Sequence, residues 1–101
     1  MGCDLPEHAR ADILKLAERH GVKDVILFGS RATGRNWERS DIDLAVRGGD
    51  TLRFSVEADE LVHTLLFIDV VNLDRPVQPE LLASILREGV ALRGKLPTDA
   101  E

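Results

Sequence analysis

Leu27-Phe28-Gly29-Ser30-Arg31-Ala32-Thr33-Gly34, followed after a short polar stretch by Ser40-Asp41-Ile42-Asp43-Leu44-Ala45-Val46, leaves this chain few ways to fold. Apolar residues run straight into Gly29-Ser30, so a buried strand is expected to end in a tight turn that offers backbone N–H groups and a hydroxyl to an anion. Asp41 and Asp43 lie two apart in a strand-like run, whose side-chain period of two sends both carboxylates to one face. Two such acids repel each other in a half-dry site, and a divalent cation is the usual resolution. For all-oxygen ligands beside phosphates that cation is most often Mg²⁺. The segment therefore predicts a phosphate cradle next to a metal site.

The rest of the chain predicts an α/β layer around that segment. A first helix is expected over 6–20, with Ala9, Ile13, Leu16 and Ala17 on one stripe, Pro6 in its first turn and Gly21 at its C-terminal cap. Val25 to Phe28 and Ile42 to Val46 read as buried strands. Between them, Ser30 to about Gly34 is expected to start a short helix whose N-terminus faces the turn. Leu52, Val56, Leu61, Val62 and Leu65 fit a second long helix over about 51–64. Leu66 to Leu73 predicts a third strand, and Pro76 and Pro79 break the chain after it. A last helix over about 79–88 is marked by Leu81, Leu82, Ile85 and Leu86, with Val90 to Leu92 as an edge strand. Alternating helices and strands give a small mixed sheet with helices packed mainly on one face.

Composition bounds what such a layer can do. A chain of 101 residues has room for one domain, its core over about 6–92 and a polar tail over 95–101. The net charge of −5 argues against broad nucleic-acid binding, which needs a basic footprint, and a chain without Tyr and with one Trp has no stacking platform for single strands. A single cysteine and the lack of an apolar span point to a reducing, cytoplasmic setting. His8, His20 and His63 are scattered without acid-rich or cysteine-rich company and do not make a zinc set.

Gly29-Ser30, then Asp41-x-Asp43 opening the next apolar run, then the lone Asp69 in Phe67-Ile68-Asp69-Val70-Val71-Asn72, resembles the DNA polymerase β-like nucleotidyltransferase superfamily. The form Gly29-Ser30-Arg31-Ala32-x-Gly34 and the short chain look most like the minimal nucleotidyltransferases, the MntA-type antitoxins that accompany HEPN-domain toxins. That resemblance runs from about Val25 to Leu92 and implies a nucleotidyltransferase palm. It further implies Mg²⁺-dependent transfer of AMP from ATP to a protein hydroxyl, with two ions, and a tyrosine of a cognate HEPN-type toxin as acceptor. Asp41 and Asp43 would bridge both ions and Asp69 would bind the ion beside the attacking hydroxyl, or act as general base. Gly29 and Ser30 would meet the phosphates, and Arg31, Arg35 and Arg39 are cations near enough in sequence to neutralise them. Thr33 and Asn72 depart from the family form, which commonly has Arg and an acid there. The alternative is a non-catalytic antitoxin or binding module that neutralises its partner by complex formation, and either reading allows a homo-oligomer or hetero-oligomer.

Asp69 also carries weight on its own surroundings. A carboxylate among Phe67, Ile68, Val70 and Val71, in a strand that reads as buried, is costly without a partner. A lone palm also needs something outside it to hold its acceptor, so exposed apolar side chains are expected near the cleft or on the last helix, among Trp37, Leu81, Leu82 and Ile85. Rival sites fail on spacing. A Walker-type loop needs Lys and Ser or Thr after its second glycine, where Gly34 is followed by Arg35-Asn36.

Overall fold

The computed structural model describes residues 5–34, 41–61 and 67–97. Arg35, Trp37 and Arg39 lie outside them. Helix α1 (Glu7–Arg19) begins directly after Pro6 and buries Ala9, Ile13, Leu16 and Ala17, the stripe expected from its spacing. Strand β1 (Asp24–Phe28) is buried along its whole length, and the four-residue helix α2 (Ser30–Thr33) follows it through Gly29. Then come β2 (Ile42–Arg47), α3 (Thr51–Leu61), β3 (Ile68–Asn72), α4 (Pro79–Glu88) and β4 (Val90–Arg93). The four strands form one sheet in the order β3-β2-β1-β4. β1 runs antiparallel to both β2 and β4, while β2 and β3 are parallel, so the sheet is mixed and the α/β class is as expected. Among the described residues no helix is long and apolar enough to cross a membrane.

Two cores follow from the alternation of side chains along the central strands. Val25 and Leu27 of β1, with Ile42, Leu44 and Val46 of β2, pack against α1, Ala32 of α2, and Phe54 and Ala58 of α3. On the opposite face Ile26, Phe28 and Ala45 pack with Ile85 of α4. Most helices thus share one face, and α4 covers part of the other. Burying each large aliphatic side chain here contributes on the order of 1.5–3 kcal/mol.

Helix α3 settles on a different stripe from the expected one. Thr51, Phe54 and Ala58 are buried, whereas Leu52 and Val56 stand 69% and 53% exposed. The spacing 51, 54, 58 is as helical as 52, 56, and the aromatic ring of Phe54 buries more apolar area than either aliphatic rival. Val62 and Leu65, also expected on this helix, lie outside the described residues, and α3 is described as far as Leu61. On α4 the expectation of exposed apolar side chains fails as well. Ile85 is fully buried against Ile26 and Phe28, and Leu81 and Leu82 are half-buried.

The C-terminal strand is fastened by one buried acid. Asp24 accepts from the Nε and Nη2 of Arg47 at 2.9 Å each, and from the backbone N–H of Lys95 at 3.0 Å. Gly94 adopts φ +70, and a Cβ there would strike the Asp24 carboxylate, so only glycine lets the chain close over it. Burial pulls the Asp24 pKa upward, but the Lys95 N–H and Arg47 outweigh it and hold the carboxyl below its ordinary range. Asp24→Ala is expected to lower stability by roughly 2–3 kcal/mol at neutral pH, the scale of a lost charged hydrogen-bond set. Because the native pKa is depressed, that stabilisation is present above the ordinary value of 3.8 and disappears as pH falls through the native one. Urea unfolding of both proteins at neutral pH and in acid checks the difference.

Candidate active site

One end of the sheet brings the sequence motif together. Phe28, the last residue of β1, pairs with Asp43 of β2, and Asp43 in turn pairs with Asp69 of the parallel β3. Paired residues in adjacent strands share a face, so Asp43 and Asp69 both lie on the face opposite α1 and α3. Asp41 stands just before β2, where the N–H of its neighbour Ile42 donates to the Phe67 carbonyl at 2.9 Å. Asp41 and Asp69 are exposed, and Asp43 is half-buried.

Asp69 therefore does not occupy the position its neighbours suggest. β3 is an edge strand of intermediate burial, and its aspartate reaches solvent. No buried-charge penalty attaches to Asp69; the carboxylate under electrostatic stress is Asp43. Burial raises the Asp43 pKa, and the nearby negative charges of Asp69 and then Asp41 push it further. Among the described residues no three carboxylate, imidazole or thiol groups are drawn in as tightly as around a bound ion. The chemistry of the donor set nonetheless fits one. Hard carboxylate oxygens suit Mg²⁺, and the repulsion felt at Asp43 is what such a cation would relieve.

The glycine turn abuts this acid group. Gly29 has φ +79 and ψ −156, and a Cβ at Gly29 would collide with the Asp43 Oδ2. The turn is glycine for two reasons at once, its left-handed φ and the carboxylate packed against it. The Gly29 carbonyl accepts from the N–H of Ala32 at 3.1 Å and of Thr33 at 3.3 Å, which folds Ser30 to Thr33 back into α2. Thr33 Oγ1 donates to the Ser30 carbonyl at 3.2 Å, so this departure from the family form braces the turn. Asn72 likewise has a local task, its Oδ1 accepting from the Asp74 N–H at 2.9 Å. Ser30 is half-buried beside the turn, whereas Arg31 is 2% exposed and offers a ligand almost no surface. Arg35 and Arg39 fall outside the described residues.

Beside the aspartates lies an open cleft of about 620 Å³ between α3 and the edge strand β3. Asp41 and Asp69 line it together with Val56, Asp59, Glu60 and Phe67. Motif spacing does not point to the α3 and Phe67 contributions. The one sequence signal for them is the acid run Glu57, Asp59, Glu60, interleaved with an apolar stripe that competes with Phe54 for the core and loses.

A family model described as the polymerase beta nucleotidyltransferase matches residues 11–96. The chain belongs to this family of nucleotidyltransferases. Within it the likeness is to the minimal, MntA-like members. A solved chain described as a putative minimal nucleotidyltransferase is 32% identical, with 80% of this chain and 86% of that chain covered at a TM-score of 0.60. A toxin–antitoxin structure with AMP-PNP matches at 23% identity and TM-score 0.68, over 85% of this chain and 73% of that one. A tri-AMPylated HEPN toxin in complex with the MNT antitoxin, from Shewanella oneidensis, matches at 21% identity and TM-score 0.62, over 86% and 71% of the two chains. No curated protein matches the chain.

Proposed function

We propose that this chain is an antitoxin enzyme that transfers AMP from ATP, with Mg²⁺, to a tyrosine hydroxyl of a HEPN-type toxin. The observation that carries the reading is the close approach of Gly29 to Asp43, itself paired with Asp69, which sets the glycine turn directly against the acids. The similar structures add support: one holds AMP-PNP and another a tri-AMPylated HEPN toxin.

In the proposed reaction the acceptor oxygen attacks the α-phosphorus of ATP. A phosphorus–oxygen bond forms to the acceptor, the bond to the β-phosphate breaks, and pyrophosphate leaves. Asp41, Asp43 and Asp69 would hold Mg²⁺, which supplies charge stabilisation for the entering and leaving oxygens. Asp69, exposed at the sheet edge, takes the proton of the attacking hydroxyl. Gly29 and Ser30 position the phosphate chain, and the protein contributes mainly alignment and a prearranged field.

The test is incubation with ATP, Mg²⁺ and a HEPN-domain protein encoded beside this chain, followed by intact-mass measurement of the partner. Added AMP masses are expected with the wild type. Asp69→Asn should retain ATP binding and lose transfer by about 100-fold or more, the scale of removing one group that acts in the transition state. A partner that is silenced but never gains mass would replace the enzyme reading with that of a covering antitoxin.

A further inference from the structure

Phe67 is 75% exposed, Leu52 69% and Val56 53%, the three large apolar side chains most exposed among the described residues. They are not scattered. Leu52 and Val56 are one helical turn apart on α3, and Val56 and Phe67 line the same cleft as Asp41 and Asp69. A second hollow of about 420 Å³ continues along α3 past Leu52 and shares Val56 and Glu60 with the first. Exposed apolar surface that is contiguous and runs into a candidate catalytic group marks a docking surface rather than incidental exposure.

The charges around it select the occupant. Asp59 and Glu60 flank the apolar stripe, and among the described residues neither has a cationic partner, whereas Glu57 is held by His20 at 3.0 Å and Arg19 at 3.5 Å. With Asp41 and Asp69 these make four carboxylates around one cleft. Arg53 lines the far hollow, but there it faces Asp50 at 3.9 Å, and the four carboxylates of the cleft would repel a phosphate backbone or an acidic peptide. A polypeptide with basic residues beside apolar or aromatic ones matches both features.

We infer that the groove between α3 and β3 is the acceptor entrance, docking a cationic protein segment with Phe67 and Val56 as apolar anchors and Asp59 and Glu60 as charge readers. This rests on the proposed transfer reaction: the groove reaches β3 at Asp69, whose carboxylate lies on the other face of the sheet, so the docked segment crosses the open edge of β3 to present its hydroxyl there. It adds that acceptor choice is made on α3 and at Phe67, outside the phosphate turn. An aromatic side chain fits a cleft of this volume, and rim charges act chiefly on discrimination between partners.

Fluorescence polarisation without ATP or metal tests it, using a tyrosine-containing peptide rich in Arg, Lys and Leu, its charge-swapped Glu counterpart, and a single-stranded RNA. At physiological salt the basic peptide is expected to bind about tenfold more tightly than either other probe. Phe67→Ala should weaken it about fivefold or more, as loss of an aromatic anchor does. Asp59→Lys combined with Glu60→Lys should abolish or reverse the preference between the two peptides. Neither change touches the core, and matching melting curves confirm folding. Equal binding of the probes, preference for RNA, no binding of the basic peptide, or indifference to both variants each overturns the inference. Docking that behaves as expected without any AMP transfer to a HEPN-type partner would sink the reaction alone. Transfer with docking indifferent to the variants would sink the groove alone.

Discussion

Replacing Asp43 with asparagine is expected to cut AMP transfer by at least about 100-fold, the loss seen when one electrostatic group facing the transition state is removed, while making the metal-free protein more stable. Both effects have one cause. Burial, then Asp69, then Asp41 raise the Asp43 pKa above its ordinary value of 3.8, so the folded chain resists ionising this carboxylate. The native state binds its proton more tightly than the unfolded chain. Stability from this group is therefore present below 3.8 and is lost as pH rises through the raised native value. The asparagine variant never ionises, so its advantage in melting temperature over the wild type should be small in acid and grow toward neutral pH. Added Mg²⁺ should narrow the gap by stabilising only the wild type, through its preference for the folded site. Melting curves across pH, with and without Mg²⁺, read all of this. An unchanged turnover, or a stability gain that does not depend on pH, would remove Asp43 from the site.

Gly29→Ala is expected to be nearly as damaging, and in the opposite direction for stability. Alanine at φ +79 is strained, and its Cβ would push into the Asp43 carboxylate. Strain at one such position costs on the order of 1–3 kcal/mol. Displacing a reacting group by about 1 Å can cost about 100-fold in rate. The variant should thus melt lower, lose transfer and bind ATP less tightly by calorimetry. If it melted lower yet kept wild-type transfer, the turn would serve the fold and not the phosphates.

Much of the fold is legible in the sequence because apolar spacing states which face of an element is buried. The α1 stripe, the strand ending at Phe28, the short helix after Gly29 and α4 all stand where spacing puts them, within about two residues. Spacing cannot choose between two equally helical stripes on α3; the size of Phe54 decides it, and Leu52 and Val56 are left outside. Nor does a local run reveal sheet order. Phe67-Ile68-Asp69-Val70-Val71 reads as a buried strand, but β3 lies at the sheet edge, and so the stressed acid is Asp43. The segment itself puts the glycine turn next to the acid pair, but not the register in which Phe28 pairs with Asp43 and Gly29 packs on its carboxylate. Burial of Arg31 is not visible at all, since charge argues for solvent.

The parallel pairing of β2 with β3 has a kinetic side. A parallel pair cannot be closed by a tight hairpin, so the stretch through α3 must be traversed before Asp43 finds Asp69. The β1 to β4 pairing spans still more of the chain. Contacts so distant in sequence form late and slowly compared with local helices. A nascent or partly folded chain can thus hold α1 and α3 and yet have no assembled acid group. Capacity for chemistry arrives with completion of the sheet, so the amount of working protein in a cell would follow its full folding yield, not the amount synthesised.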